Sequence, residues 1–318
     1  MHLARVGHEA HLWARDAALA AEIVRSRTND VYLPGIVLPD GVTAGESLAH
    51  AVQRADVVVS AIPSHGCRAV IRAATPHLPR HVTIVSTTKG LEADTLYRMS
   101  EVIDEEAGSH HPVAVLSGPS FALEVAHQRP TAVLVASTRP EATAQIQQQF
   151  GGPLFRVYGS SDVVGVELAG ALKNVIAIAA GVVEGLGLGH NAQAALITRG
   201  LAEISRLVWA AGGRRETPSG LSGLGDLVLT CTGSLSRNRH VGIELARGRS
   251  LEDVLSSMKM VAEGVRTTAT ALALGVRYGV ELPIATQMAD VLDGRTDVRT
   301  AVEALMLRPQ RAEMETVN

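Results

Sequence analysis

Of the 29 Lys and Arg residues in this 318-residue chain, three are lysines: Lys89, Lys173 and Lys259. Arginine stays charged at any working pH, whereas lysine can release its proton when burial lowers its pKa. A lysine kept in an arginine-dominated chain is therefore a candidate for a site where a proton moves, although any one of them is as readily a residue without a task. Lys173 stands out. It lies within DVVGVELAGALKNVIAIAAGVVE, residues 162–184, which is apolar or small on nearly every side, with Glu167, Lys173 and Asn174 as its polar interior residues. A helix apolar all round is a buried helix, and an ammonium in its middle is expensive unless it has a partner or a task. Lys89 in STTKG and Gly118 and Ser120 in SGPSFA follow strand-like runs, at the carboxyl edge where such sheets bind ligands. Asp226 in GLGDL reads on its own as a turn or helix cap. The SRNR run at 236–239 reads on its own as a solvated helix start.

The residues around Lys173 must position it. Ser160, Ser161 and Asp162 offer capping oxygens at the start of that helix, and Gly185 and Gly187 are expected to stop it. A membrane span is the competing reading, since residues 163–183 are long enough to cross a bilayer. Glu167, the Lys173-Asn174 pair and three interior glycines argue against it, because a central charge costs about 2.5 to 3.5 kcal/mol on insertion.

At this length about two domains are expected. The net charge of −3 and pI of about 6.5, with no basic run, give no support to nucleic-acid or membrane-surface binding. Cys67 and Cys231 lie far apart without metal-ligand spacing, so no metal site is expected and a reducing cytoplasm is the natural home. The charged first residues give no signal peptide.

Along the chain, a helix remnant at 2–6 closed by Gly7 precedes a short strand at 9–13. Strand-like runs follow at 56–61, 81–86, 112–116, 131–136 and 155–158, separated by helical spacing at 46–54, 64–74, 95–107 and 140–150. Strands alternating with helices of this length mean βαβ units. The expected fold is α/β, with a doubly wound, Rossmann-like dinucleotide-binding domain over residues 1–160. Helices alone follow, at 162–184, 192–211, 221–230, 237–246, 251–257, 265–278, 284–292 and 298–305, forming an all-helical domain over residues 161–318. The site is expected in the cleft between them, and the polar tail from Pro309 to fray. A dinucleotide domain normally opens with a central strand and a glycine-rich turn that receives the pyrophosphate. Here MHLARVGHEA reads as the helix after that turn, with no GxGxxG, so the domain is expected to be truncated at its first strand.

Eight motifs carry a resemblance: WARD at 13–16, STTKG at 86–90, SGPSFALE at 117–124, ELAGALKNV at 167–175, GHNAQAALITRGLAEI at 189–204, GLGDLVLTCTG at 223–233, SRNR at 236–239 and VAEGV at 261–265. In this order, over nearly the whole chain, they resemble bacterial NAD(P)-dependent glycerol-3-phosphate dehydrogenases. The departures are the absent glycine loop and His190, where the family usually has an acidic or small polar residue.

The resemblance implies hydride transfer between NAD(P)H and C2 of dihydroxyacetone phosphate, giving sn-glycerol 3-phosphate for phospholipid synthesis, in a cytoplasmic homodimer. Lys173 is then the general acid, since a desolvated amine can be tuned toward neutral pH, and Asp226 its orienting partner. Asn174 and Thr230 are second contacts in the same pocket. Arg237 and Asn238 hold the phosphate, Ser236 caps the following helix or bonds the ligand, and Lys89, Gly118 and Ser120 touch the substrate. Arg15, just past the first strand, is expected to meet a 2′-phosphate, favouring NADP, whereas Asp16 can bond ribose hydroxyls and leaves NAD open. Ser60, Pro63, Lys89, Ala122, Arg237, Val261 and Glu263 match family cofactor contacts, although Val261 also reads as plain core. Lys259 has no assignment. Two other readings stay open: a related β-hydroxyacid or ketopantoate-type reductase, and an inactive form that keeps only substrate affinity or assembly.

Overall fold

In the computed structural model, which describes residues 1–258, 260–310 and 312–313, strands are confined to the first half of the chain. Lys259, Arg311 and 314–318 lie outside the described residues, so Lys259 and most of the tail expected to fray have no structural account.

Helix α1 (His2–Arg5) turns through Gly7, at φ +98°, into β1 (Ala10–Trp13). Asp16 then starts α2 (Ala17–Ser26) by accepting the Ala18 and Leu19 N–H groups at 2.9 and 3.2 Å. Next come β2 (Thr28–Asn29), β3 (Leu33–Val37), β4 (Val42–Gly45), α3 (Leu48–Val52), β5 (Val57–Ser60) and α4 (Ser64–Ala74). The half closes with β6 (Thr83–Ser86), α5 (Met99–Ala107), β7 (Val113–Ser117), α6 (Ala122–Ala126), β8 (Thr131–Ala136), α7 (Pro140–Phe150) and β9 (Phe155–Ser160). The sequence reading passes over α2 and β2 to β4, whose short runs lack a sustained period.

The sheet is not continuous. β1 pairs in parallel with β4, β2 with β3 antiparallel, and a separate five-stranded sheet runs β5-β6-β7-β8-β9. Within the larger sheet β7 and β8 are antiparallel, whereas the βαβ reading expected parallel neighbours throughout. The link between them contains only the five-residue α6, about 7 Å long at 1.5 Å per residue, while β7 needs a return of about 17 Å. The link therefore stays at one end of the sheet instead of crossing its face. β6 is buried at all four positions, which is why its run carries no polar alternation.

From Val163 the chain is helical: α8 (Val163–Gly185), α9 (Gly189–Ala210), α10 (Asp226–Thr232), α11 (Arg237–Ala246), α12 (Leu251–Ser256), α13 (Glu263–Tyr278), α14 (Pro283–Leu292) and α15 (Val298–Met306). α8 is long and apolar enough to cross a membrane, but 94% of its most apolar window is buried inside the protein, with α9, α10, α11, α13 and α14 packed on it. Leu172, Ile176, Ile178, Ile204, Leu207, Leu227 and Met288 form its core, and burying each such side chain stabilises by about 1.5–3 kcal/mol. α11 crosses α8 through two glycines. A Cβ on Gly242 would lie 1.9 Å from the Ile178 carbonyl oxygen, and one on Gly181 2.0 Å from that of Arg239.

Of the two expectations about the ends of α8, the N-terminal one holds and the C-terminal one is corrected in part. Of the capping run, Asp162 does the capping, accepting the Gly165 N–H at 2.9 Å. Gly185 does not stop α8; it is the last helical residue, small because a Cβ there would meet that of Ala246 at 2.6 Å, and the left-handed turn falls at Gly187, φ +68°. The helix expected over 221–230 is also two elements: a π-helical turn, Leu221–Gly225, then α10. Gly223 makes the turn possible, since a Cβ there would lie 2.0 Å from the Pro218 carbonyl oxygen.

Candidate active site

The π turn delivers Asp226 to the first position of α10, facing the middle of α8, a geometry frequent at functional sites. Gly225 N–H donates to the Gly220 carbonyl at 3.1 Å, and the next residue is the acid. Lys173 Nζ donates to Asp226 Oδ1 at 2.9 Å and to Thr230 Oγ1 at 2.5 Å. Thr230, one turn along α10, directs its own proton to the Asp226 carbonyl at 2.6 Å, so its free lone pair faces the lysine. Lys89, from the loop after β6, donates to the other carboxylate oxygen, Oδ2, at 2.5 Å and to the Gly118 carbonyl at 2.9 Å. One buried carboxylate thus lies between two ammonium groups.

The two lysines are not equivalent. The side chain of Lys173 is 6% exposed and that of Lys89 24%. Burial, reinforced by the charge of Lys89 and opposed by Asp226, brings the Lys173 pKa down to about 8. Burial alone would raise the Asp226 carboxyl, but Lys89 and Lys173 outweigh it and hold it below the usual carboxylate range. Lys173 is therefore a charged acid near neutral pH that can part with its proton.

Glycines bring the strand ends to this centre. Gly118 has φ +137°, and a Cβ there would lie 3.0 Å from the Val133 Cα; its carbonyl also accepts the Ser120 hydroxyl at 3.1 Å. On α8 a Cβ at Gly170 would lie 2.9 Å from Ser117 Oγ. The Asn174 amide donates to the Lys89 carbonyl at 3.1 Å and accepts from Asn238 Nδ2 at 2.9 Å, while Asn238 Oδ1 accepts the Gly264 N–H at 2.9 Å. Both amides are thus partly spent on one another. Ser236 takes the capping role, accepting the Arg239 N–H at 3.2 Å.

Beyond the lysines, Arg237 donates to the Val261 carbonyl at 2.9 Å; burial lowers its pKa against the pull of Glu263. Glu263 accepts the Ser64 N–H at 3.0 Å and the Ser64 hydroxyl at 2.7 Å, closing the N-terminus of α4 that Pro63 precedes. Ser60 is buried at the end of β5, its carbonyl taking the Thr87 N–H at 2.9 Å. One connected network therefore joins Lys173, Asp226, Thr230, Lys89, Gly118, Ser120, Asn174 and Asn238, and continues through Gly264 to Glu263. Arg15 and Ala122 are exposed, at the end of β1 and the start of α6, and no hydrogen bond joins either to it. Asp16 spends one carboxylate oxygen on capping α2. The sequence reading missed Arg98 and Ser100, which hold Glu167; the signal was a second charge in an otherwise apolar helix.

A nicotinamide cofactor fits the carboxyl edge of this sheet. Ser86 and Ser117, the last residues of β6 and β7, carry buried hydroxyls without a partner among the described residues, and Arg15 is exposed just past the end of β1.

Two family models match the chain: the N-terminus of NAD-dependent glycerol-3-phosphate dehydrogenase over residues 1–143 and its C-terminus over 162–303. A glycerol-3-phosphate dehydrogenase of Koribacter versatilis, named as using NAD(P)+, is 50% identical over 313 residues, covering 98% of this chain and 93% of its own. The crystal structure of the glycerol-3-phosphate dehydrogenase of Coxiella burnetii superposes with a TM-score of 0.93 at 38% identity, over 96% of this chain and 94% of that one. A 2-dehydropantoate 2-reductase of Geobacter metallireducens shares the fold alone, with a TM-score of 0.57 at 13% identity over 93% and 94% of the two chains. The chain belongs to the NAD(P)-dependent glycerol-3-phosphate dehydrogenase family of oxidoreductases.

Proposed function

We propose that the centre built by Lys173, Asp226 and Lys89 interconverts dihydroxyacetone phosphate and sn-glycerol 3-phosphate, with Lys173 moving the proton. The observation that carries this reading is the buried Lys173 sharing one carboxylate with a second, more exposed lysine. The bound nicotinamide supplies or takes the hydride at C2. Lys173 Nζ gives its proton to the C2 oxygen in reduction and takes it back in oxidation, and its pKa of about 8 suits both. Asp226 and Thr230 fix the direction of the ammonium, and Lys89 adds positive charge where the alkoxide develops.

Arg237 supplies a guanidinium fork for the substrate phosphate, beside the remaining N–H of Asn238 and the Gly118–Ser120 turn. Ser60, Pro63, Ala122, Val261 and Glu263 would line the cofactor side. Arg15 reads a 2′-phosphate, so NADP is the preferred cofactor. The helical half, residues 161–318, binds substrate and forms a homodimer, and the enzyme makes glycerol 3-phosphate for phospholipids in the cytoplasm.

The test is NADPH oxidation with dihydroxyacetone phosphate beside a non-phosphorylated keto acid. Turnover with the keto acid alone would assign the site to a reductase of the same fold. Arg15→Ala raises the KM for NADPH far more than that for NADH; equal changes would remove Arg15 from cofactor selection.

A further inference from the structure

α8 carries a second buried charge that the proposed reaction does not use. Glu167 is 5% exposed, six residues before Lys173, and its carboxylate is fully engaged. Oε1 accepts the Ser100 N–H at 2.8 Å, and Oε2 accepts the Ser100 hydroxyl at 2.5 Å and Arg98 Nη1 at 3.1 Å. A carboxylate held this far from water is costly unless paired and fully hydrogen-bonded.

What Glu167 grips is the far end of the loop that carries Lys89. Arg98 forms a β-bridge with Leu91, two residues past Lys89, and the Glu92 N–H donates to the Tyr97 carbonyl at 2.9 Å, so the loop closes on itself. Leu91 is buried in the same core cluster as Leu168 and Leu172 of α8. The near end of the loop is pinned where the Thr88 hydroxyl meets the Ile62 carbonyl at 2.6 Å and Asn174 meets the Lys89 carbonyl. α8 therefore holds the loop twice, at Lys89 itself through Asn174 and across the bridge through Glu167.

We propose that Glu167 is a positioning residue: through Arg98, Ser100 and the Leu91 bridge it sets the ammonium of Lys89 against Asp226 and Lys173. The inference rests on Lys89 acting in the proposed reaction. A plain interdomain staple would change stability and leave the chemistry alone. A positioning residue changes the chemistry only as long as Lys89 is present.

The experiment is a double-mutant cycle on the full chain with Glu167→Gln and Lys89→Met, reading kcat, KM and the pH profile of folded protein. Glu167→Gln alone lowers kcat on the order of tenfold, the scale of a small misplacement. It also moves the pH limb assigned to Lys173 upward, because the repelling ammonium of Lys89 retreats. In the Lys89→Met background Glu167→Gln has no further effect. Additive losses in the double variant overturn the proposal, as does a lowered melting temperature with wild-type kinetics. Wild-type activity in Lys89→Met overturns it for a different reason, by removing Lys89 from the reaction. Should Glu167→Gln fail to fold, Ser100→Ala removes the hydroxyl tie to Oε2 and the 3.2 Å bond that Arg98 Nη1 donates to that hydroxyl, leaves the Ser100 N–H and Arg98 on the carboxylate, and carries the same non-additivity at smaller size; additivity there overturns the proposal equally.

Discussion

Two buried carboxylates in the helical half have opposite electrostatics. Glu203 on α9 is 5% exposed and accepts two backbone donors, Ile284 N–H at 2.7 Å and Ala285 N–H at 3.4 Å, at the N-terminus of α14. Burial outweighs these bonds and the more distant charges of Arg206 and Arg308, and pushes its carboxyl up to about 7. Asp226, 2% exposed, is held below the usual carboxylate range by two ammonium groups in direct contact. Burial alone makes an acid reluctant to ionise; burial with paired lysines makes a fixed anion that tunes its neighbours. The first arrangement ties a helix start into the core. The second is the arrangement that the proposed reaction uses for proton transfer.

The comparison breaks most sharply at Lys173. Lys173→Arg keeps a charge beside Asp226 but loses the transferable proton, so turnover falls by about 10³-fold or more while the protein stays folded. Near-normal turnover would take Lys173 out of the acid role. Asp226→Asn comes next, with a loss on the order of 10²-fold at pH 7. Without the carboxylate the influence that raises the Lys173 pKa is gone, so Lys173 falls further below about 8 and less of it is charged. For the wild type, reduction needs the ammonium and declines as pH rises through about 8, while oxidation needs the amine and gains there. In Asp226→Asn both limbs shift to lower pH; limbs that stay in place would assign them to another group.

This asymmetry was half legible in the sequence. Lys173 announces itself, because a charge amid DVVGVELAGALKNVIAIAAGVVE has to be partnered, and the helix around it formed as the pattern required. Asp226 does not, because its partner comes from 53 residues away across a π turn that Gly223 allows but no period encodes. Only the family motifs pointed to it. The reversal at β8 was hidden for a similar reason: strand runs carry a period but not a direction, and the short α6 decides it. Glu203 was invisible, since a Glu on a half-exposed helix looks like surface until α14 covers it.

The smallest expected effect tests the other member of the pair. With a carboxyl near 7 in the folded protein and 4.5 as its ordinary value, the native state binds more protons than the unfolded chain between those pH values. Stability credited to Glu203 is therefore fully present below about pH 4.5 and is lost as pH rises through about 7, with a loss of about 3 kcal/mol. Glu203→Gln keeps a carbonyl oxygen for the Ile284 N–H and removes the titration. Its urea midpoint, compared with that of the wild type, gains between pH 5 and 7.5, while turnover with dihydroxyacetone phosphate is unchanged because Glu203 touches no residue of the lysine centre. A difference between the two proteins that stays constant across that range would mean that Glu203 is already ionised at pH 5, held like Asp226 by cations, and the contrast between the two acids would collapse.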